Sequence, residues 1–104
     1  MTLELIIGDK NLSSWSLRPW LALKESKLQF KEKLINLDFP ESSRKIRKYS
    51  PSGRVPVLLE NGCAIWDSLA ICERVAELSR KVQLWPEDPM MRALARSMTA
   101  EMHS

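Results

Sequence analysis

Arg54-Val55-Pro56-Val57-Leu58-Leu59-Glu60-Asn61-Gly62-Cys63-Ala64-Ile65-Trp66-Asp67-Ser68 is the stretch whose reading decides the fold. Val55 to Leu59 is apolar and β-branched enough for a strand. Asn61-Gly62 is the strongest two-residue hairpin signal, because both central positions of a type I′ turn take positive φ, and Cys63 to Trp66 is a short apolar return. Asp67-Ser68 then caps the apolar run that follows it. Two details exceed what folding alone asks. Pro56 removes a ladder donor from inside a strand pattern, and a carboxylate with a hydroxyl stands where helix N–H groups point outward. The stretch reads as a binding edge.

Outward from that hairpin the chain alternates strand and helix. Thr2 to Ile7 is β-branched and leucine-rich and runs into polar Gly8-Asp9-Lys10-Asn11, which predicts a central strand entering a loop. In Ser13-Ser14-Trp15-Ser16-Leu17-Arg18-Pro19-Trp20 the serines suit N-cap positions, and Pro19 is expected only within a first helical turn. Leu17, Trp20, Leu21 and Leu28 recur at near-helical spacing, placing a helix from about Ser16 to Ser26. Phe30 to Leu37 carries Lys31, Glu32 and Lys33 in its middle, as an edge strand does to discourage foreign pairing. Asp38 to Ser50 is polar and weakly helical. Its basic run, Arg44-Lys45-Ile46-Arg47-Lys48, reads as a solvated face anchored by Ile46, or as the source of a cation for a ligand carboxylate.

Ser50-Pro51-Ser52-Gly53 punctuates before the hairpin, and Asp67 to Arg80 forms the last strong helix of the compact unit. Leu69, Ala70, Ile71, Cys72, Val75, Ala76 and Leu78 cover more than one stripe of it, so it needs a neighbour besides the sheet. The order β-α-β-α-β-β-α, a parallel βαβ unit followed by a hairpin and a closing helix, predicts an α/β fold with a mixed four-stranded sheet. Val82 to Pro89 reads as a linker. Beyond it Met91, Leu94, Ala95, Met98 and Met102 share one face of a helical tail, with Arg92, Arg96 and Glu101 largely opposite. About fifteen residues of helix are marginal alone, so this tail reads as the start of a second domain.

Composition narrows the function. A length of 104 residues suits one domain, and 16 Lys+Arg against 13 Asp+Glu leaves a net charge of +3. That excess favours small anions but falls short of the basic stripe of a nucleic-acid binder. Cys63 and Cys72 form no C-x-x-C and no disulfide framework, which fits reduced thiols in a cytoplasmic protein. His103 is the sole histidine, which argues against a His-based triad and a His-rich metal site. Met1 to Gly8 has no basic flank and too short an apolar run for a signal peptide or membrane anchor. Without secretion, the sequon Asn11-Leu12-Ser13 is a chance match.

Taken together, Ser13 to Trp20, the run Ser-Pro-Ser-Gly-Arg-Val-Pro-Val-Leu from Ser50 and the helix start Asp67-Ser68-Leu69-Ala70-Ile71 resemble the N-terminal, thioredoxin-like domain of the glutathione transferase family. The serine-rich segment is similar to that of bacterial and zeta-like members. Coverage is essentially residues 1–80. The resemblance implies a linker over 81–89 and, over 90–104, the truncated start of an all-helical second domain. It also implies that Pro56 is cis, so that Val55 presents its backbone to the cysteinyl backbone of glutathione like an added strand. Arg54, Val55, Pro56, Asp67 and Ser68 are then the glutathione-binding positions. Helix N–H groups at Ser68 favour the carboxylate of the γ-glutamyl end, and Asp67 answers its ammonium.

The same resemblance assigns the chemistry to Ser13, with Ser14 as fallback and Ser16 a poorer one. A hydroxyl and backbone N–H groups at a helix start can hydrogen-bond the glutathione sulfur and favour its thiolate, the nucleophile. Lowering a thiol pKa from ~8.5 to ~6.5 corresponds to about 2.7 kcal/mol, within reach of such donors together with the helix dipole. Arg18 adds positive potential or packs its stem on a tryptophan. One departure stands out: zeta-like members carry a cysteine where this chain has Trp15.

The implied function is a glutathione-binding domain of a transferase that joins glutathione to a small hydrophobic electrophile. It needs no metal, contacts neither nucleic acid nor membrane, and works as a homodimer at full length. A non-enzymatic thioredoxin-like interaction module and a glutathione-dependent isomerase are the alternatives.

Overall fold

Leu3, Leu5 and Ile7 alternate with Glu4 and Ile6 along the first strand, β1 (Leu3–Ile7), and a period of two sends the two sets to opposite faces of a sheet. In the computed structural model, which describes residues 1–104 except Lys10, Leu12 and Asp38, each set founds its own core. Lys10 of the expected loop, Leu12 of the sequon and Asp38 at the start of the polar stretch therefore lie outside the described residues. On one face Leu3, Leu5 and Ile7 pack with Leu23, Leu58, Ile71 and Val75. On the other, Ile6 packs with Ile35, Ile46 and Val57.

The remaining elements follow in the expected order: α1 (Ser14–Ser26), β2 (Lys31–Leu34), α2 (Ser42–Arg47), β3 (Val57–Glu60), β4 (Cys63–Trp66), α3 (Ser68–Leu78) and α4 (Pro89–His103). The sheet runs β2-β1-β3-β4, with β1 and β2 parallel and the other pairs antiparallel. This is a mixed four-stranded thioredoxin-like sheet with a helical C-terminal segment. Helices α1 and α3 pack together on the first face, while Ile46 anchors α2 to the second. Strand β2 is an exposed edge carrying Lys31-Glu32-Lys33, as the charges predict.

At the hairpin tip Asn61 and Gly62 take φ of 50° and 83°, the pair of positive values that a type I′ turn requires. The Asn61 side chain accepts from the Thr2 N–H at 2.8 Å, pinning the turn to the start of β1. Helix α1 begins at Ser14, two residues before its apolar spacing implies, because Ser13 caps it by accepting from the Ser16 N–H at 3.2 Å. That early start corrects the expectation for Pro19, which sits in the helix interior rather than the first turn. The hydrogen bond it forgoes is the one to the Trp15 carbonyl, and burial of its ring in the core offsets the loss.

Arg74 on α3 ties that helix to the sheet through a two-pronged ion pair with Glu60, at 2.7 and 2.8 Å. Its hydrogen bonds hold the Glu60 carboxyl below the usual carboxylate range. Helix α4 starts at Pro89, with Asp88 as cap accepting from the Met91 N–H at 2.9 Å. It leans on α3 through Arg96 and Glu73, 3.4 Å apart, and through His103 and Asp67. Its apolar residues Met91, Leu94, Met98 and Met102 remain exposed. No helix among the described residues is long and apolar enough to cross a membrane.

Candidate functional site

Strand register places the site. Val57 pairs with Trp66 at the open end of the β3–β4 hairpin, so the residues just before Val57 lie beside those just after Trp66. Val55-Pro56 and Asp67-Ser68 are thereby brought together, although eleven or more positions separate them in sequence. The Val55–Pro56 peptide bond is cis. A cleft of about 390 Å³ opens at this edge, lined by Arg54, Val55, Pro56, Asp67 and Ser68. Ser52 and Trp66 extend the same wall, and Trp15 and His103 enter from α1 and α4.

Asp67 is the most constrained of these residues. Its φ of 79° lies where L-residues other than Asn and Asp are rare, and such a backbone costs about 1–3 kcal/mol. Hydrogen bonds hold it there. Its Oδ2 accepts from the N–H groups of Leu69 and Ala70 at 3.1 and 3.2 Å, while Oδ1 lies 2.8 Å from His103 Nε2. Ser68 follows as the first residue of α3 and is buried. A carboxylate, a helix N-terminus and the Arg54 guanidinium thus face one space, an arrangement suited to a small zwitterionic ligand.

The α1 start is arranged differently. Ser13 is half-buried and its hydroxyl donates to Ser16 Oγ at 3.1 Å as well as accepting from the Ser16 N–H. Ser14 is exposed, and neither Ser13 nor Ser14 is among the described lining of the cleft. Ser16 is fully buried and accepts from the Gly8 N–H at 3.0 Å, which ties α1 to the end of β1. Trp15 carries the Arg18 guanidinium over its ring at 4.2 Å and projects into the cleft. The basic run on α2 contributes no residue to this lining, and Arg54 is the one Lys or Arg among its described residues.

Beside the cleft, a more apolar cavity of about 480 Å³ lies between α3 and α4, with Leu69, Cys72, Trp85, Met98 and Met102 on its walls. Ser68 and His103 border both spaces. Burial pushes the Cys72 thiol up to about 11, with Glu73 adding to the effect, so it stays protonated at neutral pH and is no nucleophile. Among the described residues no group of three or more His, Cys, Asp or Glu is placed to hold a metal ion.

A family model described as the N-terminal domain of glutathione S-transferase matches residues 12–78. The chain belongs to the glutathione S-transferase family. Among curated proteins it is 36% identical over 86 residues to the "Probable maleylacetoacetate isomerase" of Caenorhabditis elegans, covering 83% of this chain and 39% of that protein. To Protein LigF of Sphingobium sp. (strain NBRC 103272 / SYK-6) it is 32% identical over 102 residues, covering 95% and 39%. A glutathione transferase homolog from Burkholderia GL BGR1, solved with bound glutathione, superposes with a TM-score of 0.84 at 26% identity. That superposition covers 100% of this chain and 55% of the other. The chain thus spans 39% of the length of either curated relative.

The glutathione S-transferase match takes in every position singled out in the sequence, from Ser13 to Ser68, and leaves α4 outside. Four lining residues escaped the sequence reading. Ser52 stood in a segment read as punctuation, Trp66 as the end of a strand and Trp15 as a departure from the family pattern. His103 carries no local signal, because its place in the cleft depends on α4 folding back over 36 residues.

Proposed function

We propose that this chain is the glutathione-binding half of a glutathione transferase, which readies the glutathione thiol for attack on a small hydrophobic electrophile. The observation that carries this reading is the convergence of Arg54, Val55, Pro56, Asp67 and Ser68 on one cleft in a domain of this family. The Val55 backbone, just outside the β3–β4 ladder, pairs with the cysteinyl backbone as an added strand. The N-terminus of α3 receives the γ-glutamyl carboxylate, Asp67 its ammonium, and Arg54 offers a cation to the glycyl end.

Ser13 acts on the sulfur. Its hydroxyl turns from Ser16 to donate to the sulfur, whose proton passes to water, and the thiolate lone pair then forms the new carbon–sulfur bond while the electrophile's leaving group departs with its electrons. Residues 1–80 form the binding domain, 81–89 the linker and 90–104 the opening of a helical domain that completes the electrophile pocket. The full-length protein is a cytoplasmic homodimer. Titration calorimetry of the 104-residue chain with glutathione tests the reading, with saturable one-site binding expected and conjugation of a chromophoric substrate low. Absence of binding would sink the assignment, and robust turnover would refute the division of labour between the domains.

A glutathione-dependent isomerase is the second reading, favoured by the similarity to the C. elegans relative. It shares the binding cleft and differs in the fate of the adduct that thiolate attack forms. Trp15, in the position of the zeta-like cysteine, speaks against it.

A further inference from the structure

His103, the last residue of α4, reaches back across the molecule to the α3 start. Its Nε2 lies 2.8 Å from Asp67 Oδ1, and its ring meets Trp15 edge to face, with centroids 5.3 Å apart and planes at 88°. An ionised carboxylate only accepts, so the imidazole is the donor in this pair. The contact joins three elements at the mouth of the cleft, with α1 supplying Trp15, α3 its cap and α4 the imidazole.

The acceptor capacity of Asp67 gives the contact its meaning. A carboxylate offers about four lone-pair sites. On Oδ2, two are taken by the Leu69 and Ala70 N–H groups, and on Oδ1 one is taken by His103. One site remains, on the oxygen that His103 holds. Without His103 the carboxylate, 46% exposed, is fixed through Oδ2 alone.

We propose that His103 is a positioning residue for ligand binding: it fixes Oδ1 of Asp67, braced by Trp15, so that the remaining acceptor meets the α-ammonium of the ligand. The proposal rests on the reading of the cleft as a glutathione site. It assigns a role in that site to a residue outside the matched domain, and it gives α4 a part in recognising glutathione as well as in bordering the apolar cavity. The competing explanation is that His103 merely fastens α4 to α3, as the Arg96–Glu73 pair does.

Calorimetry with two ligands separates the cases, using glutathione and its analogue lacking the γ-glutamyl amino group. His103→Ala is expected to weaken glutathione binding roughly fivefold, the scale of one net hydrogen bond, and to leave the deamino analogue within about twofold of the parent. His103→Gln, which keeps a donor, restores most of the loss. Arg96→Ala, which cuts the other tie between the helices, leaves both affinities unchanged. Equal losses for the two ligands, an Arg96→Ala loss matching that of His103→Ala, or an unaffected His103→Ala protein would each overturn the proposal. A parent chain that binds no glutathione would overturn the functional reading and this proposal with it, whereas binding that ignores His103 overturns this proposal alone.

Discussion

The molecule has two helix starts near its cleft, and they are built on opposite principles. At α1 a neutral hydroxyl, Ser13, caps the helix from a relaxed backbone with φ of −119° and spends its hydrogen bonds on Ser16. At α3 a carboxylate, Asp67, caps from a strained backbone with φ of 79° and keeps part of its accepting capacity for the cleft. Folding accounts for the first arrangement completely. It leaves the choice of residue in the second open, since a glycine would hold the φ of 79° without strain. Backbone strain of this kind clusters at ligand clamps and active sites, in keeping with the role proposed for Asp67.

The comparison breaks most readily at Ser68. Ser68→Ala is expected to lower glutathione affinity roughly 10- to 100-fold, the range for a lost hydrogen bond to a charged group, as read by calorimetry. An unchanged affinity would remove α3 from recognition. Ser13→Ala probes the other helix start. The bound thiol should titrate about one unit higher, worth about 1.4 kcal/mol, with the thiolate absorbance near 240 nm as readout and affinity little changed. Loss of the cap should also cost about 1 kcal/mol in urea unfolding. A thiol pKa that stays put would reduce Ser13 to a cap.

Asp67→Gly sharpens the contrast from the side of stability. Glycine adopts φ of 79° without strain but loses the side-chain cap and adds unfolded-state entropy, so stability should stay within about 1 kcal/mol of the parent while glutathione affinity falls. A large destabilisation would mean that Asp67 serves the fold after all. The smallest effect concerns how each helix is tied to the sheet. Trp20 of α1 donates to Glu32 at 3.0 Å, whereas Arg74 of α3 grips Glu60 with two charged hydrogen bonds. Because the folded Glu60 pKa is depressed, its contribution is fully present above the unfolded value of about 4.3 and is lost as pH falls through the folded one. Thermal melts of Glu60→Gln should therefore lie below the parent at pH 7, and the gap should begin to narrow as pH falls below about 4.3. A gap that does not narrow at all as the pH is lowered through the acid range would show that charge is not its source.

How legible each half was depends on range. Asn61-Gly62 announces its turn because the requirement for two positive φ values is local, and once the turn is known the Val57–Trp66 register follows and brings Val55 beside Ser68. The binding edge was therefore readable from fifteen consecutive residues. Helix α1 starts two positions before its apolar spacing indicates, because that spacing marks where a helix is buried rather than where its cap begins, and the earlier start puts Pro19 in the interior. His103 was invisible, since no periodicity in α4 tells which of its residues meets a carboxylate on a distant loop. The φ of Asp67 was equally hidden: the sequence marks a cap, and only the closing of the hairpin onto α3 imposes its backbone angle.

All five methionines of the chain are exposed, and four of them, Met90, Met91, Met98 and Met102, stand on α4. The two cores contain none. Mild peroxide will therefore write sulfoxide onto this helix and Met1, while the methionine-free packing of the two cores has none to oxidise. Each thioether is a built-in gauge of solvent access. Whatever comes to lie on α4 in the cell will be recorded, residue by residue, as a methionine that fails to oxidise.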